Sequence, residues 1–241
     1  MKGKFNNMFF AFTTFLIVLL IFSNVENVSA AESITKVNNA EITDEEFQEF
    51  KSKGYYGEDV TLEMLNQPYE RKSLLLLEEK SQEITINSLD NYTPKAGDIL
   101  ITNDTSYGGI TGHTGIVTSS GKILHYPNPN VGIKHETLAQ WNARYDKTNV
   151  WRVSSSIIAN KAASWAYLNY YATNSDAEYQ INTDLYSKDP TYCSKLVWQA
   201  YYYGAGSSVI DAPLTKIVRP YDLPAYFTSY PNLIVQEFIM R

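Results

Sequence analysis

Hydrophobic and polar positions change texture several times along the 241-residue chain. Behind basic Lys2 and Lys4, residues 8–22 form an almost unbroken apolar run. Residues 31–90 are acidic, with apolar positions at helical spacing. Thr43 with Glu46 three residues on is a capping-box signature, so a helix opens at Asp44. Residues 54–59 interrupt that helix. A second is predicted from Thr61 through Leu62, Leu65, Tyr69 and the leucines 74–77, with Pro68 as a kink or boundary. From Thr93 the texture becomes short apolar and β-branched runs. Strands are predicted at 99–102, 113–118, 122–126, 131–134 and 149–153, with Ser119-Ser120-Gly121 as a tight hairpin connection. Helical spacing returns over 157–172, behind a cap at Ser154, Ser155 or Ser156. It returns again after the turn Asp189-Pro190-Thr191, where a final helix has Gly204 as its stop. A run of strands followed by helices predicts an α+β fold, a mostly antiparallel sheet packed against helices.

These textures divide the chain. Residues 1–30, closing on the small residues Val28-Ser29-Ala30, read as a secretory signal peptide, and the protein is expected to be secreted. The apolar run is short for a membrane span, so membrane contact is expected only through an uncleaved signal. No cysteine occupies the cleavage site, which argues against a lipid anchor of the bacterial lipoprotein kind. Residues 31–90 form a helical extension: a propeptide, a cap or a separate helical hairpin. Residues 91–241 form the main domain. A formal net charge of −6 argues against nucleic acid as a main partner.

The chain has one cysteine and three histidines. Cys193 sits at or beside the start of the last helix, where unpaired N–H groups and the helix dipole favour a thiolate. Positions 193, 197, 200 and 204 share a helical face, which turns the thiol inward. An unpaired thiol in an exported protein reads as reactive, whereas a lone cysteine elsewhere reads as a small buried hydrophobe. His113 and His125 lie on the two strands of the predicted hairpin, opposite or nearly opposite, on one face if the register allows. A thiol, an imidazole and a second polar ring suffice for nucleophilic catalysis. Two readings stand against it. The histidines are structural, or Cys193, His113 and His125 hold zinc, although the close C-x-x-C or H-x-x-x-H pairs of structural sites are absent.

Gly97-Asp98-Ile99-Leu100, Gly112-His113-Thr114-Gly115-Ile116-Val117 and Tyr192-Cys193-Ser194-Lys195-Leu196-Val197-Trp198 resemble the circularly permuted NlpC-like hydrolases. These are papain-fold proteins of the YiiX type, with cousins in the lecithin–retinol acyltransferase group. The resemblance covers about residues 94–223, including the closing Arg219-Pro220-Tyr221-Asp222-Leu223. It implies a permuted papain-like fold, with Cys193 as nucleophile, His113 as base and His125 as the third polar group. That third group is His in the acyltransferase cousins and often Glu in the YiiX type, which makes Glu136 the second choice. His135 matches nothing and is taken as surface, and Asp98 as a holder of its turn. The implied function is a cysteine amidase acting on cell-wall peptides, those of peptidoglycan included, through a thioester and with no cofactor. Transfer or cleavage of acyl esters by the same triad is the first alternative. A non-catalytic surface-binding module is another.

Overall fold

The computed structural model describes residues 42–67, 91–107, 110–173 and 176–236. The signal-peptide reading of 1–30 and the leucines 74–77 lie outside them. Thr43 caps α1 (Asp44–Ser52) as its sequence requires. Its hydroxyl accepts the Glu46 N–H at 3.2 Å, and its own N–H donates to the Glu46 carboxylate at 2.9 Å. The helix buries Phe47, stacked on Tyr56 with ring centroids 5.2 Å apart. After it the chain runs extended along residues 179–183. Gly57 N–H donates to the Ile181 carbonyl, Ile181 N–H to the Tyr55 carbonyl, and Thr183 N–H to Asp59. The predicted second helix is observed as α2 (Leu62–Leu65), capped by Thr61.

The sheet has six antiparallel strands in the order β4-β3-β2-β1-β5-β6. They are β1 (Ile99–Tyr107), β2 (Ile110–Val117), β3 (Ile123–His125), β4 (Lys134–Glu136), β5 (Thr148–Arg152) and β6 (Asn232–Gln236). Between β2 and β3 the connection is the predicted three-residue loop. Thr118 N–H donates to the Lys122 carbonyl at 2.8 Å, and Gly121 holds the left-handed position at φ 74°. The strand predicted over 131–134 starts only at Lys134, because Gly132 (φ 72°) is still turning. Two elements escape the sequence pattern: α3 (Leu138–Asn142) and β6. Among the described residues no helix is long and apolar enough to cross a membrane.

Residues paired directly across neighbouring strands share a face. Leu100, Gly115 and His125 lie on one face, as do Val117, Ile123 and Glu136. The crossover from β4 to β5 covers that face. Trp141 and Tyr145 pack there with Tyr92, Leu100, Val117, Ile123, Val150 and Val235. Ile99, Ile116 and Leu124 point to the other face and are fully buried. Each such side chain contributes roughly 1.5–3 kcal/mol of transfer free energy.

Helix α4 (Ser156–Ala166) belongs to that second face, and α5 (Cys193–Gly204) packs against α4. His135, paired with Leu124, meets Tyr167 and Tyr171 of the π-helical turn that ends α4. Ser155 is the cap of α4, its hydroxyl accepting the Ile158 N–H. The two helices approach closely where Gly204 meets Lys161, Ala162 and Trp165, while Ala159 lies against Gly97. A Cβ on Gly204 would stand 2.7 Å from Trp165 Cβ. Gly204 is therefore a packing residue, and the stop lies at Gly206, which takes a positive φ of 122°.

Asp98 holds its turn through the Lys95 N–H at 2.8 Å, as expected from sequence. It also accepts the Tyr92 hydroxyl at 2.6 Å and a two-pronged contact from Arg152, both arms at 2.7 Å. The turn before β1 is thus bolted to β5.

Candidate active site

Cys193 is the first residue of α5 and only 4% exposed. Tyr192 before it is extended and offers no side-chain cap. Instead its hydroxyl accepts the Val218 N–H at 2.9 Å, which fixes where the helix begins. Ser194 donates to the Val218 carbonyl at 2.6 Å and places its oxygen 3.9 Å from the sulfur. Backbone N–H groups of Thr114, Ser194 and Cys193 itself face the sulfur and favour its anion. Burial outweighs them and pushes the thiol up. Two residues on, Lys195 is fully buried. Its amine donates to the Pro190 carbonyl at 2.8 Å and to Asn182 at 3.2 Å, and burial lowers it to about 8.

His113 on β2 and His125 at the end of β3 share a face, as the pattern allowed. They stand diagonally rather than opposite, because His125 pairs with Gly115. The rings close the diagonal, with His113 Nε2 2.8 Å from His125 Nδ1. Gly115 makes this possible: a Cβ there would lie 3.1 Å from His125 Cβ and 2.7 Å from Ile123 Cγ2. On its far side His125 Nε2 is 3.2 Å from Glu136 Oε2, and Arg144 Nη2 donates to Glu136 Oε1 at 2.8 Å. The two candidates for the third group are therefore joined in series, His125 first and Glu136 behind it.

Trp141 seals the rings. Its indole stacks on His113 (5.7 Å, 24°) and meets His125 edge-on (5.0 Å), while its own N–H is spent on Thr148 at 2.9 Å. Burial drives His113 well below the usual imidazole range, with the His125 and Arg144 charges adding to it. Burial lowers His125 too, against the opposing pull of Glu136. The hydrogen bond from His125, with the His125 and Arg144 charges, holds Glu136 at about 2.

The thiol reaches β2 at the peptide next to His113. Thr114, whose N–H faces the sulfur, directly follows His113. His113 spends Nε2 on His125, leaving Nδ1 as its other ring nitrogen. The thiol's side-chain contact in this resting state is with Ser194, and pairs of this type tighten on substrate binding. His135 is not part of the group. It is half-buried on the other face, 2.8 Å from Thr118 Oγ1 and packed on Tyr171, which corrects its reading as plain surface. Among the described residues no cluster of three or more His, Cys, Asp or Glu side chains is arranged to hold a metal ion. Sequence reasoning missed Arg144 and Trp141. The one signal for them was their place in the segment that must cross the sheet between β4 and β5.

Residues 72–237 match the model of a family described as lipoprotein N-acylation protein LnsA-like. An uncharacterized 30.3 kDa protein of Bacillus thuringiensis is 40% identical over 159 residues. That alignment takes in 61% of this chain and 59% of the relative's own length. No solved structure matches.

Proposed function

Because the chain belongs to the LnsA-like lipoprotein N-acylation family, whose coarse character is papain-type acyl transfer or hydrolysis, we propose that it is a thiol acyltransferase with Cys193 as nucleophile. The family description favours transfer of an acyl group to an amine over the cell-wall amide hydrolysis that the residues first suggest. The observation that carries the reading is the buried hydrogen-bonded histidine pair ending at the peptide beside a thiol on a helix N-terminus. The His-before-Cys order of the permuted papain-like proteins fits the same reading.

Burial disfavours both the thiolate and the imidazolium, so the resting pair is a neutral thiol and a neutral imidazole. This replaces the thiolate–imidazolium pair that a helix N-terminus alone suggests. Proton transfer then accompanies attack. As the Cys193 sulfur bonds to the acyl carbon of an ester, its proton passes to His113 Nδ1. The Cys193 N–H at the helix start is placed to donate to the developing oxyanion, a contact worth about 2.7–4 kcal/mol in other enzymes. The alcohol leaves with the proton from His113, and a thioester remains on Cys193. An amine then attacks the thioester and gives its proton to His113. The sulfur departs, recovers that proton, and the product is an amide. Water in place of the amine gives hydrolysis by the same steps. The export signal read at 1–30 suits donors and acceptors that lie at a membrane's outer surface.

The test is intact-mass analysis of the full-length protein incubated with phospholipid vesicles or an activated acyl ester. An acyl adduct should appear on Cys193, be released by hydroxylamine, and transfer to a peptide carrying a free α-amine. Cys193→Ala should show neither adduct nor transfer, with melting temperature little changed. Acyl transfer that survives Cys193→Ala overturns the nucleophile assignment.

A further inference from the structure

The polar chain behind the histidines extends past the group that acyl transfer requires. Glu136 lies on β4, two strands away from His113, and its carboxylate is 8% exposed as a residue. One oxygen faces His125 Nε2 at 3.2 Å, and the other accepts from Arg144 at 2.8 Å. We propose that Glu136, oriented by Arg144, is the positioning residue that sets the tautomers of both histidines and so presents an unprotonated Nδ1 on His113 to the thiol. This rests on the acyl-transfer reading for its purpose, though not for its geometry.

An ionised carboxylate only accepts, so His125 must carry its proton on Nε2 to meet Glu136. Its Nδ1 is then a lone pair, and His113 must donate to it from Nε2. A neutral His113 protonated on Nε2 has its lone pair on Nδ1. One fixed negative charge therefore determines the free nitrogen two rings away. Arg144 matters because it holds Oε1 of Glu136 and leaves Oε2 for His125. Other groups face the pair. Lys134 is paired with His125 across β3 and β4, and the Trp141 and Tyr145 rings lie against both imidazoles. The Trp141 N–H is already engaged with Thr148.

Glu136→Gln separates this role from simple packing. Arg144 can only donate, so the amide must turn its oxygen to Arg144 and its NH2 to His125. His125 Nε2 then becomes the acceptor, its proton moves to Nδ1, and that proton is donated to His113 Nε2. His113 is left protonated on Nδ1, the wrong tautomer. In a serine protease triad, neutralising the orienting carboxylate in this way costs about 10⁴ in kcat. With an intervening ring, a loss of about 10²–10⁴-fold in kcat is expected here, with KM little changed.

The decisive measurement is nitrogen-15 NMR of the imidazoles in the full-length protein, which reports tautomers whether or not the enzyme turns over. The wild type at neutral pH should show His113 and His125 both protonated on Nε2. Glu136→Gln should show both protonated on Nδ1, and Glu136→Asp should restore part of the wild-type pattern and part of kcat. A wild-type His113 protonated on Nδ1 overturns the proposal even if no variant folds. So does a Glu136→Gln spectrum identical to wild type. The proposed function fails on a different observation, the absence of an acyl adduct on Cys193.

Discussion

Around α5, Ser194, Lys195 and Gln199 are as completely buried as the leucine and valine between them. Each is fastened to backbone carbonyls: Ser194 to Val218, Lys195 to Pro190, Gln199 to Leu185 and Ser187. On the sheet face shared with Leu100 and Val117, His113 and His125 are just as buried, yet their partners are other titratable side chains. A backbone carbonyl can only accept, so the first set has a single arrangement and fixes the loop before the thiol. In the second set the link between the two rings can reverse its donor and acceptor, and the carboxylate behind it decides which way it runs. Burial does not distinguish scaffold from chemistry in this protein, whereas the kind of partner does.

The largest effect should come from the reversible set. His113→Ala should reduce acyl transfer as severely as loss of the thiol, by at least about 10⁴-fold, because members of one catalytic unit are not additive. The Cys193→Ala, His113→Ala double variant should be hardly worse than either single one. Losses that multiply in single-turnover rates would show that the two groups act separately, and the imidazole face would join the scaffold.

Lys195 tests the comparison from the other side. Lys195→Met leaves the Pro190 carbonyl and Asn182 without a donor, which should cost about 1–3 kcal/mol of stability in urea unfolding. Burial lowers the folded amine to about 8, against an ordinary value of 10.5 in the unfolded chain. Between those values the unfolded chain binds a proton that the folded chain does not. Stability from this residue therefore rises as pH increases from 8 to 10.5, and is lowest below 8. The advantage of wild type over Lys195→Met should widen across that window. A variant that keeps wild-type stability but loses turnover would move Lys195 out of the scaffold and into the chemistry.

The smallest effect is expected at His135. Its ring ties the β2–β3 hairpin through Thr118, so His135→Ala should cost about 1 kcal/mol of stability. Turnover of the folded protein should stay within twofold of wild type. A larger loss of turnover would show that both faces of the sheet feed the thiol.

Features specified by adjacent residues were legible in the sequence. Thr43 and Glu46 form their cap from a span of three positions, Asp98 closes its own turn, and the Ser119-Ser120-Gly121 loop fixes the β2–β3 register. That register put His113 and His125 on one face, although counting from the turn left them one pair closer to opposite than they are. The rest depended on distant pairings. Glu136 reaches His125 only because β4 adds to the edge of β3, and Arg144 reaches Glu136 only because the chain turns back over the sheet. A five-residue helix and a terminal edge strand carry too little periodicity to announce themselves, which is why α3 and β6 were absent from the pattern. The thiol's protonation depends on a feature of the same kind. Helix position is visible in sequence, whereas the depth of burial that opposes it is not.

Gly115 has a consequence for anyone altering or searching for this site. The two histidines converge because the position between them is empty, and a single methyl group there would act as a wedge. Gly115→Ala would retain every reactive atom in the protein while prising the two rings apart. A useful search pattern for this site must therefore include a vacancy: a histidine, one spacer, then a residue with nothing on its α-carbon.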